Sequence, residues 1–160
     1  MQPLIKYQSI KMIQLNRTDS ENTDFIQLVK MLDADLAVRD GDTHAFYDQF
    51  NKIDMIRHVV VAYMEGIAMG CGAIKVYEAG TMEIKRMFIM PEYRGKGIAG
   101  RILHELEMWA TELGNRKCIL ETGIRQPEAI QLYRKSGYTI THNYGQYENV
   151  EDSVCMEKML

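Results

Sequence analysis

Cysteine is scarce in this sequence, and its placement excludes two kinds of site. The 160 residues contain three cysteines, Cys71, Cys118 and Cys155. They are odd in number and far apart, and none has a second cysteine or a histidine at metal-ligand spacing, so neither a disulfide framework nor a zinc site is expected. Each lies in a strand-like run, which is typical of a small buried core residue. The four histidines are equally scattered, and we assign none of them chemistry.

Long apolar runs and a positive charge excess are also missing. No apolar run reaches the roughly 18 residues that a membrane helix needs. The segment from Met1 to Lys6 lacks the apolar stretch of a signal peptide. The formal net charge is -3, which gives no broad positive field for phosphate backbones or anionic lipid. We therefore expect no nucleic-acid partner, no membrane partner and a cytoplasmic location.

What is present is the composition of an ordinary globular domain. Apolar residues make up 46% and charged residues 26% of the chain, close to average usage. A chain of this length is long enough to bury most of its apolar surface in one core. We find no internal repeat and no Pro/Gly/Ser-rich linker, so the expected organisation is a single domain over residues 1–160.

Hydrophobic periodicity predicts an α+β fold in the order β-α-α-β-β-β-α-β-α-β-β, with a mixed sheet and helices on both faces. The strands in the middle of the chain are separated by Glu65-Gly66 and Ala79-Gly80, which indicates an antiparallel meander. The predicted strands cover 10–15, 59–63, 67–77, 82–90, 117–122, 138–142 and 154–159. The predicted helices are one capped by Asp24 and bearing Phe25, Leu28, Val29 and Leu32, one over 43–50, one with Ile98, Ile102, Leu106, Trp109 and Leu113 on a single face, and one over 127–136.

A glycine-rich segment lies between the third central strand and the long helix. It reads Arg94-Gly95-Lys96-Gly97-Ile98-Ala99-Gly100 and follows directly after a strand that Pro91 ends. A helix N-terminus has free backbone N–H groups and a partial positive charge, so it can hold a phosphate or pyrophosphate. Glycine lets the backbone approach such an anion closely. The spacing differs from that of a Rossmann fingerprint.

In this context the segment resembles the cofactor-binding motif R/Q-x-x-G-x-G/A of the GCN5-related N-acetyltransferase (GNAT) superfamily. A second stretch, from Gln126 through Pro127, Ala129, Leu132 and Tyr133 to Gly137-Tyr138, is similar to that family's signature N-x-x-A-x-x-L-Y-x-x-x-G-F/Y. Gln126 stands where the family usually has Asn. The resemblance covers about the C-terminal two-thirds of the chain, with both motifs in the family's order.

The resemblance implies acetyl-CoA as co-substrate and no metal. The implied contacts are backbone groups around Met87, Phe88 and Ile89 for the pantetheine arm, a side-chain contact from Gln126, and for the pyrophosphate the loop residues Arg94, Gly95, Lys96, Gly97, Ile98, Ala99 and Gly100. Tyr133 falls on the tyrosine that protonates the departing thiolate in many members, a task that suits a phenol. The alternative is that Tyr133 only packs beside Leu132 under the sheet.

The first candidate for the general base is Glu83, and Glu121 is placed on the acceptor side as a second candidate. Glu83 stands eleven residues before Arg94, the spacing at which some family members carry a catalytic glutamate. Its alternative role is an ion pair with Lys85 on the same strand face. Glu121, at the end of the next strand, could bind or deprotonate the amine.

The acceptor side is indicated by two further segments. Tyr144 and Tyr147 precede the last strand, where the family often builds its acceptor wall, although a simple hairpin connection would explain them equally. The acidic run of Asp33, Asp35, Asp40 and Asp42 around Arg39 borders the acceptor site in the family, or else is a solvated surface. Its acidic members would favour a cationic acceptor and Arg39 a carboxylate.

The expected function is therefore transfer of acetyl from acetyl-CoA to a primary amine by direct attack, with a small molecule as acceptor. The alternatives are acetylation of a protein N-terminus or lysine, and a non-catalytic acyl-CoA-binding module. A homodimer is left open as the assembly.

Overall fold

The computed structural model describes residues 12–50, 52–53 and 56–160 and shows one seven-stranded sheet between two layers of helices. The strand order is β1-β2-β3-β4-β5-β7-β6. The predicted order of helices and strands is confirmed in full. The strands are β1 Ile13–Thr18, β2 His58–Met64, β3 Ile67–Glu78, β4 Thr81–Ile89, β5 Lys117–Gly123, β6 Thr139–Thr141 and β7 Ser153–Met159. The helices are α1 Thr23–Asp40, α2 His44–Asp48, α3 Ile98–Glu112 and α4 Pro127–Lys135.

Strands β2 to β4 form the predicted antiparallel meander, and β1 pairs antiparallel with β2. The side chains of these strands alternate between two cores. Val59 and Val61 pack with Phe25 and the rest of the apolar stripe of α1. Val60 and Ala62 pack on the opposite face with α3. This is the period-two alternation of a sheet that is covered on both sides. The three cysteines are all buried and free, as predicted for core residues.

The N-terminal predictions need correction. The first strand is β1, displaced towards the C-terminus from the predicted 10–15, of which residues 10 and 11 lie outside the described chain. Asp24 is not the cap of α1, because Asn22 accepts the Phe25 N–H at 2.9 Å. Asp24 lies in the first turn instead and accepts a hydrogen bond from the Tyr63 hydroxyl at 2.7 Å. Helix α2 is shorter than the predicted 43–50, since a 3₁₀ turn precedes it.

Helix α3 has the predicted buried face except at its C-terminal end. Ile98, Ile102 and Leu106 are buried, but Leu113 is 47% exposed because it is the C-cap, beyond the last helical turn. Trp109 is half-buried and meets His58 edge to face at 4.8 Å between ring centroids. None of the helices in the described residues is long and apolar enough to cross a membrane.

The sheet opens between β4 and β5. The two strands pair in parallel only from Thr81–Glu83 to Lys117–Ile119. Beyond that, β4 continues with β3 and β5 continues with β7. A wedge therefore opens between residues 84–89 of β4 and the last residues of β5.

A β-bulge lies in β4 at this wedge. Cys71 pairs with Phe88 and Ala73 pairs with Lys85, so Gly72 alone opposes both Arg86 and Met87. Arg86 has a φ of 58°, in the left-handed region that non-glycine residues rarely adopt. Gly72 allows the close approach, since a Cβ there would lie 2.4 Å from the Met87 sulfur. A bulge of this kind re-aims side chains and interrupts pairing.

Candidate active site

Two adjoining cavities occupy the wedge. The larger, which we call the loop cavity, has a volume of about 430 Å³ and is lined by Gly95, Gly97 and Gly100 on one side and by α4 on the other. The smaller, the wedge cavity, has a volume of about 100 Å³ and reaches inward to Glu121. Five residues line both cavities: Leu32, Met87, Gln126, Ala129 and Tyr133. The two spaces therefore meet at Tyr133.

The glycine loop presents backbone to the loop cavity. Gly95 and Gly97 have φ values of 76° and 78°, which suit glycine and would strain other residues. Gly97 is also the N-cap of α3, so the free N–H groups of the first turn lie at this end. A Cβ at Gly95, Gly97 or Gly100 would meet no other atom within 4 Å. Since packing does not require these glycines, the exposed backbone is free to contact an anion, which fits the pyrophosphate of acetyl-CoA.

Arg94 fixes this loop to the adjacent strand. Its Nε donates to the Ile89 carbonyl at 2.8 Å, and its guanidinium lies 5.5 Å from the centre of the Phe88 ring. Of the predicted cofactor residues, all but Lys96 line the loop cavity. The Lys96 ammonium instead lies 5.7 Å from the Tyr93 ring centre.

Tyr133 is placed by α4 and by an aromatic contact with Tyr138, at 5.9 Å between centroids and 65° between planes. It is 7% exposed. Burial, and to a smaller extent the nearby Glu121, raises the pKa of its hydroxyl well above the usual value. The phenol therefore keeps its proton at neutral pH. Tyr133 belongs to the core, as the packing alternative requires, and it also faces both cavities.

Glu121 is the carboxylate of the wedge cavity. Its Oε1 is buried and has no hydrogen-bond partner in the described part of the chain. The pKa of this carboxyl is raised from 4.5 to about 7, chiefly by burial; Ser153 and Lys85 oppose the rise, and Glu83 and Asp40 add to it. A carboxyl that titrates near neutrality beside a cavity has the property that a general base needs.

Glu83 is engaged elsewhere. It is buried, its Oε2 accepts a hydrogen bond from the Tyr144 hydroxyl at 2.6 Å, and its Oε1 lies 4.0 Å from the Lys85 ammonium. The ion pair expected as its alternative role is thus present. Glu83 lines neither cavity, although its charge acts on Glu121.

The two tyrosines of the last loop form a wall behind Glu83. Tyr144 meets Tyr77 edge to face at 5.1 Å and Tyr147 at 5.8 Å. Tyr147 is fully buried and stacks with Tyr47. Neither Tyr144 nor Tyr147 lines the wedge cavity, whereas Tyr47 does.

Three further charged residues line the wedge cavity: Lys85, Arg86 and Asp40. Arg86 pairs with Asp33 of α1. Lys85 is nearly buried, and burial lowers its pKa while Glu83 and Glu121 raise it. Asp40 also lines the cavity, and burial raises its pKa.

Sequence reasoning did not assign Arg86 to the site. The available signal was local: polar and apolar residues alternate from Thr81 to Lys85, and Arg86 then breaks this alternation as a second consecutive charged residue, which is the pattern a bulge produces. Within the described ranges, no group of three or more His, Cys, Asp and Glu side chains could hold a metal ion.

A glycine-rich loop at a helix N-terminus, a tyrosine that keeps its proton and a carboxyl with a pKa near neutrality surround the joined cavities, as expected of an acyl-CoA-dependent transferase. Comparison with known proteins agrees with this class. Residues 25–138 match the model of the acetyltransferase (GNAT) family. The chain therefore belongs to the GNAT family and is an acetyl-CoA-dependent acyltransferase.

Two curated relatives and two solved structures illustrate the match. The IAA acetyltransferase of Azospirillum brasilense is 41% identical over 102 residues, which are 63% of this chain and 67% of that protein. The aminoalkylphosphonate N-acetyltransferase of Salmonella typhimurium is 26% identical over 136 residues, 81% of this chain and 86% of that protein. For other curated relatives the matched part is about half of their length.

Among solved structures, a Klebsiella pneumoniae chain assigned to the acyl-CoA N-acyltransferases superimposes with a TM-score of 0.79 at 30% identity, covering 93% of this chain and 98% of that one. A GNAT acetyltransferase from Elizabethkingia anophelis with acetyl-CoA bound gives a TM-score of 0.68 at 18% identity, covering 92% and 98%. The second likeness concerns the fold alone.

Proposed function

We propose that this enzyme acetylates the primary amine of a small molecule by direct attack of the amine on acetyl-CoA. The observation that carries the proposal is the meeting of the two cavities at Tyr133. A donor held along the glycine loop and an acceptor held beside Glu121 would bring their reacting groups together at this junction. Such placement converts a bimolecular reaction into one between fixed neighbours.

Acetyl-CoA supplies the thioester carbonyl and the thiolate leaving group. In the proposed mechanism, residues 94–100 hold its pyrophosphate, and Glu121 removes the proton from the acceptor ammonium. A backbone N–H of the stretch from Met87 to Ile89, next to the bulge, donates to the carbonyl oxygen as negative charge develops there. Tyr133 donates its proton to the sulfur.

The roles of the two glutamates follow from their surroundings. We assign the base to Glu121 rather than Glu83, because Glu121 lines the wedge cavity and has a carboxyl oxygen without a partner. Glu83 is bound to Tyr144 and faces Lys85. Burial is the main cause of the raised Glu121 pKa, and the negative charge of Glu83 adds to it.

Two observations favour a small acceptor over a polypeptide. The wedge cavity has a volume of only about 100 Å³, which is room for a few atoms beyond the amine. The Salmonella relative carries the name of an aminoalkylphosphonate N-acetyltransferase, a small-molecule enzyme. The charge pattern also suits a cationic group, since Glu121 is the carboxylate of this cavity that has an oxygen without a partner.

A coenzyme A release screen tests the proposal. Amino acids, simple alkylamines, polyamines, aminoglycosides and basic peptides would each be offered with acetyl-CoA. We expect release with small amines and little with peptides. Release only with peptides would identify a protein acetyltransferase, and tight acetyl-CoA binding without release for any amine would identify a non-catalytic module.

A further inference from the structure

Two residues that line the wedge cavity each carry a buried polar atom without a hydrogen-bond partner, one a donor and the other an acceptor. In the described part of the chain, three buried side-chain polar atoms have no hydrogen-bond partner: Arg86 Nε, Glu121 Oε1 and His44 Nδ1. Arg86 and Glu121 both line the wedge cavity. Buried polar atoms in native proteins are nearly always satisfied. An unpaired donor and an unpaired acceptor on one cavity therefore point to a ligand that brings both complements.

Arg86 is held so that its Nε–H stays available. Its side chain is 2% exposed, and a terminal nitrogen pairs with Asp33. The backbone at Arg86 is bulged, with a φ of 58°, and the residue lies beside the junction residue Met87. The pairing with Asp33 uses one part of the guanidinium fork and leaves the Nε–H as a separate, charge-assisted donor.

Glu121 needs a hydrogen-bond donor, whereas Arg86 needs a hydrogen-bond acceptor. Arg86 is paired with Asp33, and Lys85 faces Glu83. Glu121 retains a carboxylate oxygen without a partner, which suits the ammonium group of the molecule that is acetylated. A ligand that satisfies both residues therefore carries a cationic hydrogen-bond donor for Glu121 and an anionic hydrogen-bond acceptor for Arg86. Both groups must fit in a space of about 100 Å³.

We propose that the acceptor is a small amino acid whose ammonium binds Glu121 and whose carboxylate accepts a hydrogen bond from Arg86 Nε. This rests on the proposed function, and it makes Arg86 a specificity-determining residue. The volume of the wedge cavity favours amino acids of the size of glycine and alanine. A simple amine of the same size would satisfy Glu121 but leave Arg86 Nε unpaired.

The experiment compares matched acceptors in matched proteins. L-Alanine and ethylamine differ by the carboxylate, as do glycine and methylamine. Coenzyme A release is measured for each in the wild type, in Arg86→Lys and in Arg17→Lys. Lysine keeps a cation for Asp33 but has no Nε–H. Arg17 also binds a carboxylate, Glu105 at 2.8 Å, and lines neither cavity, so its substitution controls for the loss of an arginine ion pair.

We expect the KM for L-alanine to rise about ten- to a hundredfold in Arg86→Lys, the effect of losing one charge-assisted hydrogen bond. The KM for ethylamine should change little, and Arg17→Lys should resemble the wild type. Because each pair is measured in the same proteins, differences in amine basicity cancel. Equal effects of Arg86→Lys on both acceptors would overturn the carboxylate contact and leave the acetyltransferase function standing.

Equilibrium binding provides a readout that does not depend on turnover or on the variant. The wild-type protein saturated with coenzyme A would be titrated with L-alanine and with ethylamine in a calorimeter. Tighter binding of L-alanine is expected, and equal or weaker binding would refute the proposal even if Arg86→Lys failed to fold. Absence of coenzyme A release with every amine would refute the proposed function as well.

Discussion

Replacing Glu121 with glutamine should stabilise the protein while disabling it. Burial raises the pKa of this carboxyl from 4.5 to about 7. At about 1.4 kcal/mol for each pKa unit, holding the ionised carboxylate in the folded state costs about 3 kcal/mol. Glutamine has nearly the same shape and never ionises. The variant therefore removes this cost together with the proposed base.

The pH dependence follows from the direction of the shift. Below pH 4.5 the carboxyl is protonated in both the folded and the unfolded protein, so it contributes no pH dependence. Between pH 4.5 and 7 the folded protein keeps a proton that the unfolded chain has lost, so the free energy of unfolding falls as pH rises. Above pH 7 the full cost is present. The advantage of Glu121→Gln over the wild type should therefore grow from pH 5 to pH 8.

Thermal unfolding across this range measures the effect. For a chain of this size, about 3 kcal/mol corresponds to a melting temperature about 6–12 °C higher for the variant at pH 8. The control is Glu78→Gln, since Glu78 is an exposed glutamate at the end of β3. A stability difference for Glu121→Gln that stayed constant from pH 5 to pH 8 would contradict the burial argument.

Activity of the same variant tests the catalytic role. Turnover at neutral pH should fall about a hundredfold to ten-thousandfold, the usual contribution of a general base. It should partly recover at alkaline pH, where the acceptor amine loses its proton to solvent. Wild-type turnover should rise with pH through about 7 as Glu121 ionises. A variant that follows the wild-type pH profile would exclude Glu121 as the base.

Three further substitutions test the other parts of the site. Gly97→Asp should abolish acetyl-CoA binding in calorimetry, because it adds a side chain and a negative charge to the loop. Gly80→Asp is the control, since Gly80 has nearly the same φ, 79°, and equally open surroundings. Tyr133→Phe should lower kcat and kcat/KM together, by about a hundredfold or more. The control Tyr138→Phe should affect the melting temperature alone. A near-normal kcat in Tyr133→Phe would exclude Tyr133 as the proton donor. Glu83→Gln should reduce turnover less than tenfold and lower the pH at which activity appears, because the Glu83 charge raises the Glu121 pKa. A loss of about a hundredfold or more would instead identify Glu83 as the general base.

The order of secondary structure and the glycine loop could be predicted because both depend on local pattern. Apolar periodicity gives each helix and strand, and Gly95 and Gly97 lie where a positive φ is required. The helix cap could not be chosen from the sequence. Asn22 and Asp24 are both good N-cap residues two positions apart, and the contact of Asp24 with Tyr63 is a tertiary one.

The sequence favoured Glu83 as the base from its spacing to Arg94, but the sequence could not decide between the two glutamates for a similar reason. Glu83 and Glu121 lie on neighbouring strands, and both are carboxylates near the expected thioester. They differ in their hydrogen-bond partners. Tyr144, from a loop distant in sequence, donates a hydrogen bond to Glu83, whereas Glu121 has a carboxyl oxygen without a partner. Arg86 is a stronger case, since its place in the cavity depends on a bulge that the opposing Gly72 permits.

The incomplete pairing of β4 and β5 links the fold to the proposed chemistry. Their ladder ends at Glu83 and Ile119, so the facing edges of residues 84–89 and 120–123 leave backbone groups without a strand partner across the wedge. Buried backbone groups require hydrogen bonds, and the pantetheine arm of acetyl-CoA carries amides that can supply them at Met87 and Ile89. A closed sheet would satisfy the same groups but would fill the wedge cavity, which both Glu121 and Tyr133 line. In the proposed mechanism, the separation of the strands therefore serves two purposes: it leaves a backbone edge for acetyl-CoA, and it places Glu121 where burial raises its pKa.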